Sequence, residues 1–239
     1  YYMNPPAKDL SKIAGSDKVK KVQKDFEATH VRPQRLMKTL FTDEAYVKAN
    51  VDEARLMRRL FDLACNMQSH DTDMQLYSLF TDEECYDLWS CNNLYWYLTH
   101  ACSPVTDGLM PYREADLLRN ILDRADAALK EGKNQATLRF GHESCLLPLV
   151  ALLELNHYGE SYPDVEKLSE QWRAYDIFPM ASNVQFVFFH KKGSNDVLVK
   201  VLLNEKETKL PVKTDVAPYY HWKDVESYYR EKLDKYQHI

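Results

Sequence analysis

The sequence predicts an α/β chain: a long helical region first, then part of a mixed helix–strand core whose sheet is incomplete. Three observations carry this. Apolar residues recur at helical spacing through the first 130 positions. After Gly132 the spacing changes to short apolar runs. Near the end, two strand-like runs flank the turn Lys191-Lys192-Gly193-Ser194-Asn195. Helices followed by alternating helices and strands read as a helical cap over residues 1–110 and the C-terminal part of an α/β core over 111–239.

The elements follow in order. Pro33 ahead of Leu36, Met37, Leu40 and Phe41 predicts a short helix with proline in its first position. From Val51 to Met67, Ala54, Met57, Leu60, Phe61 and Ala64 share one helical face. Thr81 with Glu84 three residues on forms a capping box, so a helix starts there and runs to about Thr99. Its Trp89, Tyr95, Trp96 and Tyr97 read as core of the cap. Tyr112 to Lys130 predicts a second strong helix, stopped by Gly132. Ala136 to Gly141 reads as a short strand, and Cys145 to Leu155, apolar almost all round, as a buried helix. Pro148 is expected in the first turn of that helix. Val184–His190 and Val197–Asn204 form the hairpin, Glu205–Val212 a third strand, and Trp222–Tyr236 a polar surface helix.

A chain of 239 residues can bury a large core. A formal charge of −5 opposes nucleic-acid binding, which needs a broad cationic face, but leaves room for a small anion in a local basic pocket. No apolar run approaches the roughly 18 residues of a membrane span. The start Tyr1-Tyr2-Met3 has no signal-peptide pattern and reads as an internal or processed terminus. Five cysteines, an odd number, give no disulfide framework. Cys85, Cys91, His100 and Cys102 invite a metal, yet Cys85 and Cys91 lie about 120° apart around one helix and do not converge. Lys18, Lys20, Lys21, Lys24, Arg32, Arg35, Arg55, Arg58 and Arg59 offer cations for a polyphosphate, or simply solvate helix faces.

Chemistry concentrates in Leu138-Arg139-Phe140-Gly141-His142-Glu143-Ser144-Cys145-Leu146-Leu147-Pro148-Leu149. A strand would deliver His142 to the start of a helix, where unpaired N–H groups and the positive dipole end attract anions. His142 can donate to phosphate oxygens there, and Glu143 can give a proton to a leaving alkoxide. Cys145 has the position of an activated thiol, but the apolar residues after it read it as a buried structural one.

This stretch resembles the C-terminal signature of the histidine-acid phosphatases, a short strand ending in Gly-His, then an acid and a Leu-rich helix. Phe80–Tyr97 and Pro111–Leu122 resemble elements of the inositol-polyphosphate (phytase-like) branch, and Pro179–Phe189 and Val197–Leu203 resemble its late core strands. The resemblance implies a phosphomonoester hydrolase acting on inositol polyphosphates such as phytate. It implies no cofactor or metal and a secreted or periplasmic setting. His142 and Glu143 would be catalytic, with Arg139 and Ser144 contacting substrate. Two departures stand out. The branch carries His-Ala-Glu where this chain has His142-Glu143-Ser144, so the acid sits at the wider family's His-Asp position. The family's nucleophile belongs to an Arg-His-Gly motif, and none of the eight histidines here precedes glycine. The chain is therefore expected to be a fragment supplying the proton-donor half of a site and inactive alone. Its partner would be a missing N-terminal segment or a second copy. The alternative is an inactive truncated relative that binds anions or partners.

Overall fold

The computed structural model describes residues 8–133 and 135–236. Its α-helices are α1 (Lys8–Ala14), α2 (Asp17–His30), α3 (Gln34–Leu40), α4 (Glu44–Asn50), α5 (Glu53–Asn66) and α6 (Asp82–His100). There follow α7 (Ala115–Glu131), α8 (Glu143–Leu152), α9 (Leu168–Gln171) and α10 (Ala174–Ile177). Strands β1 (Val184–His190), β2 (Val197–Leu203), β3 (Lys206–Glu207) and β4 (Tyr220–His221) precede α11 (Trp222–Tyr236). No helix among the described residues is long and apolar enough to cross a membrane.

Lys20 to Tyr95 forms one compact unit. Its helices begin at side-chain caps: Asp43 accepts from the Tyr46 N–H (2.9 Å) and Asp52 from the Arg55 N–H (3.0 Å). The capping box of α6 is present in both directions, with Thr81 N–H donating to Glu84 Oε2 (2.9 Å) and Glu84 N–H to Thr81 Oγ1 (3.2 Å). Pro33 occupies the cap position of α3, one residue earlier than expected. Leu36, Met37, Met57, Ala64, Phe80 and Leu88 form the core. Each large side chain buried there contributes about 1.5–3 kcal/mol. Tyr95, read as cap core, is exposed at 43 %.

The described residues up to Val19 and from Trp96 onward form the other unit. The division thus falls inside α6, upstream of the 110/111 boundary read from sequence. Tyr97 is fully buried in this second unit, its ring 5.2 Å from that of Trp172. In α7, Leu118 and Leu122 are buried, and Gly132 ends the helix at φ +65°, a conformation open to glycine. Buried Leu147–Leu152 make α8 the central helix. It starts at Glu143, so Pro148 lies in its second turn rather than its first. Proline has no N–H, which leaves the Ser144 carbonyl without its usual acceptor role in the helix.

Residues 136–141 are not a strand. They lie exposed, with Leu138 at 76 % and Phe140 at 93 %, and join no ladder. A strand is defined by its neighbour, and among the described residues none lies alongside. The sheet is antiparallel and small. β2 sits between β1 on one side and the short β3 and β4 on the other, with Val184 opposite Leu203 and His190 opposite Val197. The third strand predicted over Glu205–Val212 shrinks to two residues. Helix α11 has a buried stripe of Trp222, Val225, Tyr229 and Leu233, so it is part of the core rather than a surface helix. It is tied down by Tyr229 OH donating to Leu153 O (2.8 Å), Trp222 Nε1 to Asp126 (2.9 Å) and Arg230 to Asp123 and Asp126.

Candidate functional site

Local sequence makes the start of α8. His142 is its N-cap, extended at φ −119° and ψ 165°, and its carbonyl accepts from the Cys145 N–H (2.9 Å) and the Leu146 N–H (3.1 Å). The cap residue contributes no side-chain bond to the helix. Its imidazole is left for a ligand, and the first-turn N–H groups of Glu143 and Ser144 have no acceptor within the helix. His142 and Glu143 are exposed, Ser144 and Cys145 half-buried. An exposed imidazole and carboxyl at the positive end of a ten-residue helix can hold an anion and move a proton.

Of the four residues singled out from sequence, three are therefore contiguous at this helix start. Arg139 is held elsewhere: its guanidinium donates to Asn120 Oδ1 on α7 (2.8 Å). The cations considered for a polyphosphate are largely engaged within their own unit. Arg35 grips Glu84 through Nε (2.7 Å) and Nη2 and also donates to Leu79 O (2.6 Å). Arg32 bridges Glu83 and Asp87, and Arg58 pairs with Glu27 (2.8 Å). The first two tie α3 and the turn before it to the first half of α6, and the third ties α5 to α2.

Beneath the helix start lies a buried polar group that composition does not reveal. Glu114 ends the 3₁₀ turn Met110–Glu114 and is only 7 % exposed. Burial raises its carboxyl to about 7, while a hydrogen bond with Cys145 and the charge of Arg113 pull the other way. The Cys145 thiol is itself pushed up, by burial first and then by Glu114. Arg113 turns towards α6, donating to Thr99 O (3.3 Å) and lying 3.5 Å from His100 Nε2. Because guanidinium only donates, His100 accepts at Nε2 and is neutral. Burial, then Arg113, lowers it to about 4. The sequence offered no distinguishing signal, because Glu114 lies between Arg113 and Asp116 and reads like any surface acid.

A cavity of about 540 Å³ opens elsewhere, at the far end of α8, between Cys102, Tyr112, Leu152, Gly159 and Lys232. The length of α8 puts it roughly 15 Å from His142. Its polar wall is self-satisfied, with Lys232 Nζ donating to Leu152 O (2.7 Å) and pairing with Glu154 (2.9 Å), which also accepts from Tyr228 OH (2.6 Å).

A histidine and an acid at the open start of a buried helix form a setting in which an anion can be held. The chain belongs to the histidine phosphatase superfamily (branch 2), whose sequence profile matches residues 1–204. It is 28 % identical over 134 residues to the human multiple inositol polyphosphate phosphatase 1, covering 51 % of this chain and 27 % of that protein. Its fold is similar to that of the Bifidobacterium longum multiple inositol polyphosphate phosphatase. The TM-score is 0.64 for that enzyme's complex with phosphate, at 19 % identity over 94 % of this chain and 55 % of the other. For its complex with inositol hexasulfate the TM-score is 0.59, again at 19 % identity, over 91 % and 53 %. The chain thus spans about half the length of these solved relatives and about a quarter of the human one.

Proposed function

We propose that this chain supplies the anion-binding and proton-donating half of a phosphomonoesterase that acts on inositol polyphosphates. Residues 111–239 serve as the C-terminal part of its core, and residues 1–110 as a helical cap. The observation that carries the reading is the pairing of exposed His142 and Glu143 at the start of α8. Family membership and the inositol-polyphosphate relatives support it.

In this reading a histidine of an Arg-His-Gly segment attacks phosphorus, and the bond from phosphorus to the inositol oxygen breaks. Glu143 gives its proton to that oxygen as it leaves, and water then releases phosphate from the phosphohistidine. His142 donates to the equatorial oxygens, where a loose transition state concentrates charge. Ser144 adds its N–H at the helix start, and Arg139 reaches substrate only on leaving Asn120. The attacking histidine comes from a complementary N-terminal segment, or the chain associates with a second copy of itself.

The test has two arms. In a polypeptide joining this chain to an upstream Arg-His-Gly segment, Glu143→Gln is expected to slow phosphate release from inositol hexakisphosphate by about 10²- to 10⁴-fold. No release by the unsubstituted polypeptide from any phosphoester refutes the enzyme reading. By calorimetry, the 239-residue chain alone should bind inositol hexakisphosphate without hydrolysing it, and His142→Ala should lose that binding. The absence of His-Gly from the sequence favours a second reading, an anion-binding relative without turnover. Binding in the second arm with no release in the first would establish it.

A further inference from the structure

Glu114 has no part in the chemistry above, yet it is a buried carboxyl packed against the first turn of the helix that bears His142 and Glu143. Its contact is with Cys145, the third residue of α8. Cys145 and His142 are three residues apart, about 4.5 Å of helical rise, which brings the Glu114 carboxyl within roughly 10 Å of a ligand at the helix start. Between them lies the first turn of α8, half-buried at Ser144 and Cys145, so solvent screens only part of the interaction and a charge on Glu114 is felt at the ligand.

We propose that Glu114 sets the pH range of the site: neutral, it lets the start of α8 hold a phosphoanion; ionised, it repels one. This rests on the anion-site reading of His142.

The surrounding groups leave Glu114 as the residue that changes charge. Its carboxyl titrates at about 7. His100, lowered to about 4, stays neutral above that pH, and Arg113 stays cationic beside it. Cys145 is raised and stays a thiol. On α7, Asp116 and Arg119 pair with each other (3.3 Å), on α1 Lys12 is exposed, and on α8 Glu143 is exposed. The sign follows directly. Below the titration Glu114 is uncharged; above it a negative charge sits behind the anion, and affinity falls as pH rises.

Inorganic sulfate is the probe, because its charge is constant over this range. The ratio of sulfate affinity at pH 6 to that at pH 8 is measured by NMR for the wild-type chain and for Glu114→Gln. Coulomb attenuation across roughly 10 Å predicts a ratio about two- to tenfold larger for wild type, since every other group at the site is common to both proteins. Added salt should shrink the difference, as screening sets in over about 8–10 Å. Equal ratios overturn the role of Glu114. The ligand-free pH profile of the Ser144 amide shift separates this from the site itself. An inflection near neutral pH in the difference between the wild-type and Glu114→Gln profiles shows that the carboxyl is sensed at the helix start. With that inflection but no sulfate or phosphate binding at either pH, the anion-site reading falls. Should the amide variant lose its fold by circular dichroism, a wild-type Ser144 amide shift without an inflection near neutral pH refutes the proposal by itself.

Discussion

Replacing Glu114 by glutamine should stabilise the protein at neutral pH and leave it unchanged in acid. The carboxyl moves from its ordinary 4.5 to about 7 on folding, chiefly through burial. The folded state therefore keeps a proton that the unfolded chain has already released. Stability is fully present below pH 4.5 and is lost as pH rises through 7. At about 1.4 kcal/mol per pKa unit, the loss approaches about 3 kcal/mol. An amide of the same shape can still meet Cys145 and has no charge to bury. His100 acts in the opposite sense. It is lowered from 6.5 to about 4, so the unfolded chain takes up a proton that the folded state refuses, and stability falls as pH drops through that window. Between about pH 4.5 and 6.5 the two slopes nearly cancel in wild type. Urea denaturation from pH 4.5 to 8 should show the difference between Glu114→Gln and wild type growing from near zero to about 3 kcal/mol. A difference that stays constant across that range refutes the argument, because it would mean that Glu114 is already ionised in acid or is solvated.

Two further changes test the scaffold. Thr81→Ala removes one arm of the capping box at the start of α6 and should cost about 1 kcal/mol in denaturant unfolding with the slope unchanged. Tyr229→Phe leaves the buried Leu153 carbonyl without the hydroxyl that donates to it, for a loss of about 1–3 kcal/mol read as a lower melting temperature.

What could be read from the sequence was what local chemistry decides. The Thr81–Glu84 box, the Gly132 stop and the hairpin around Gly193 are each settled within a few residues, and each appears where expected. The buried stripe of α5 follows from spacing alone, with Met57 and Ala64 inside. The helix α8 was legible from its apolar run, but it starts at Glu143, ahead of the Cys145 start that Pro148 suggested. Three features needed partners distant in sequence. Residues 136–141 have strand composition, but hydrogen bonding to a neighbour makes a strand, and the described residues offer none. Pro148 was placed by a helix rule that packing overrode, since the surrounding Leu147, Leu149 and Val150 are buried in the core. Glu114 looked like an ordinary surface acid until α8 closed over it.

The clasp at the other end of α8 has an electrical consequence. A helix is an extended dipole, and at the distance of a bound ligand its far negative pole partly cancels its near positive one. Here the ammonium of Lys232 sits on the Leu152 carbonyl, in the last turn, with little exposure to solvent. The Glu154 carboxylate paired with the same ammonium (2.9 Å) offsets much of its charge, so that pole is masked only in part. Through the charge that remains, Lys232 adds to the field at the opposite end of α8 from a whole helix length away.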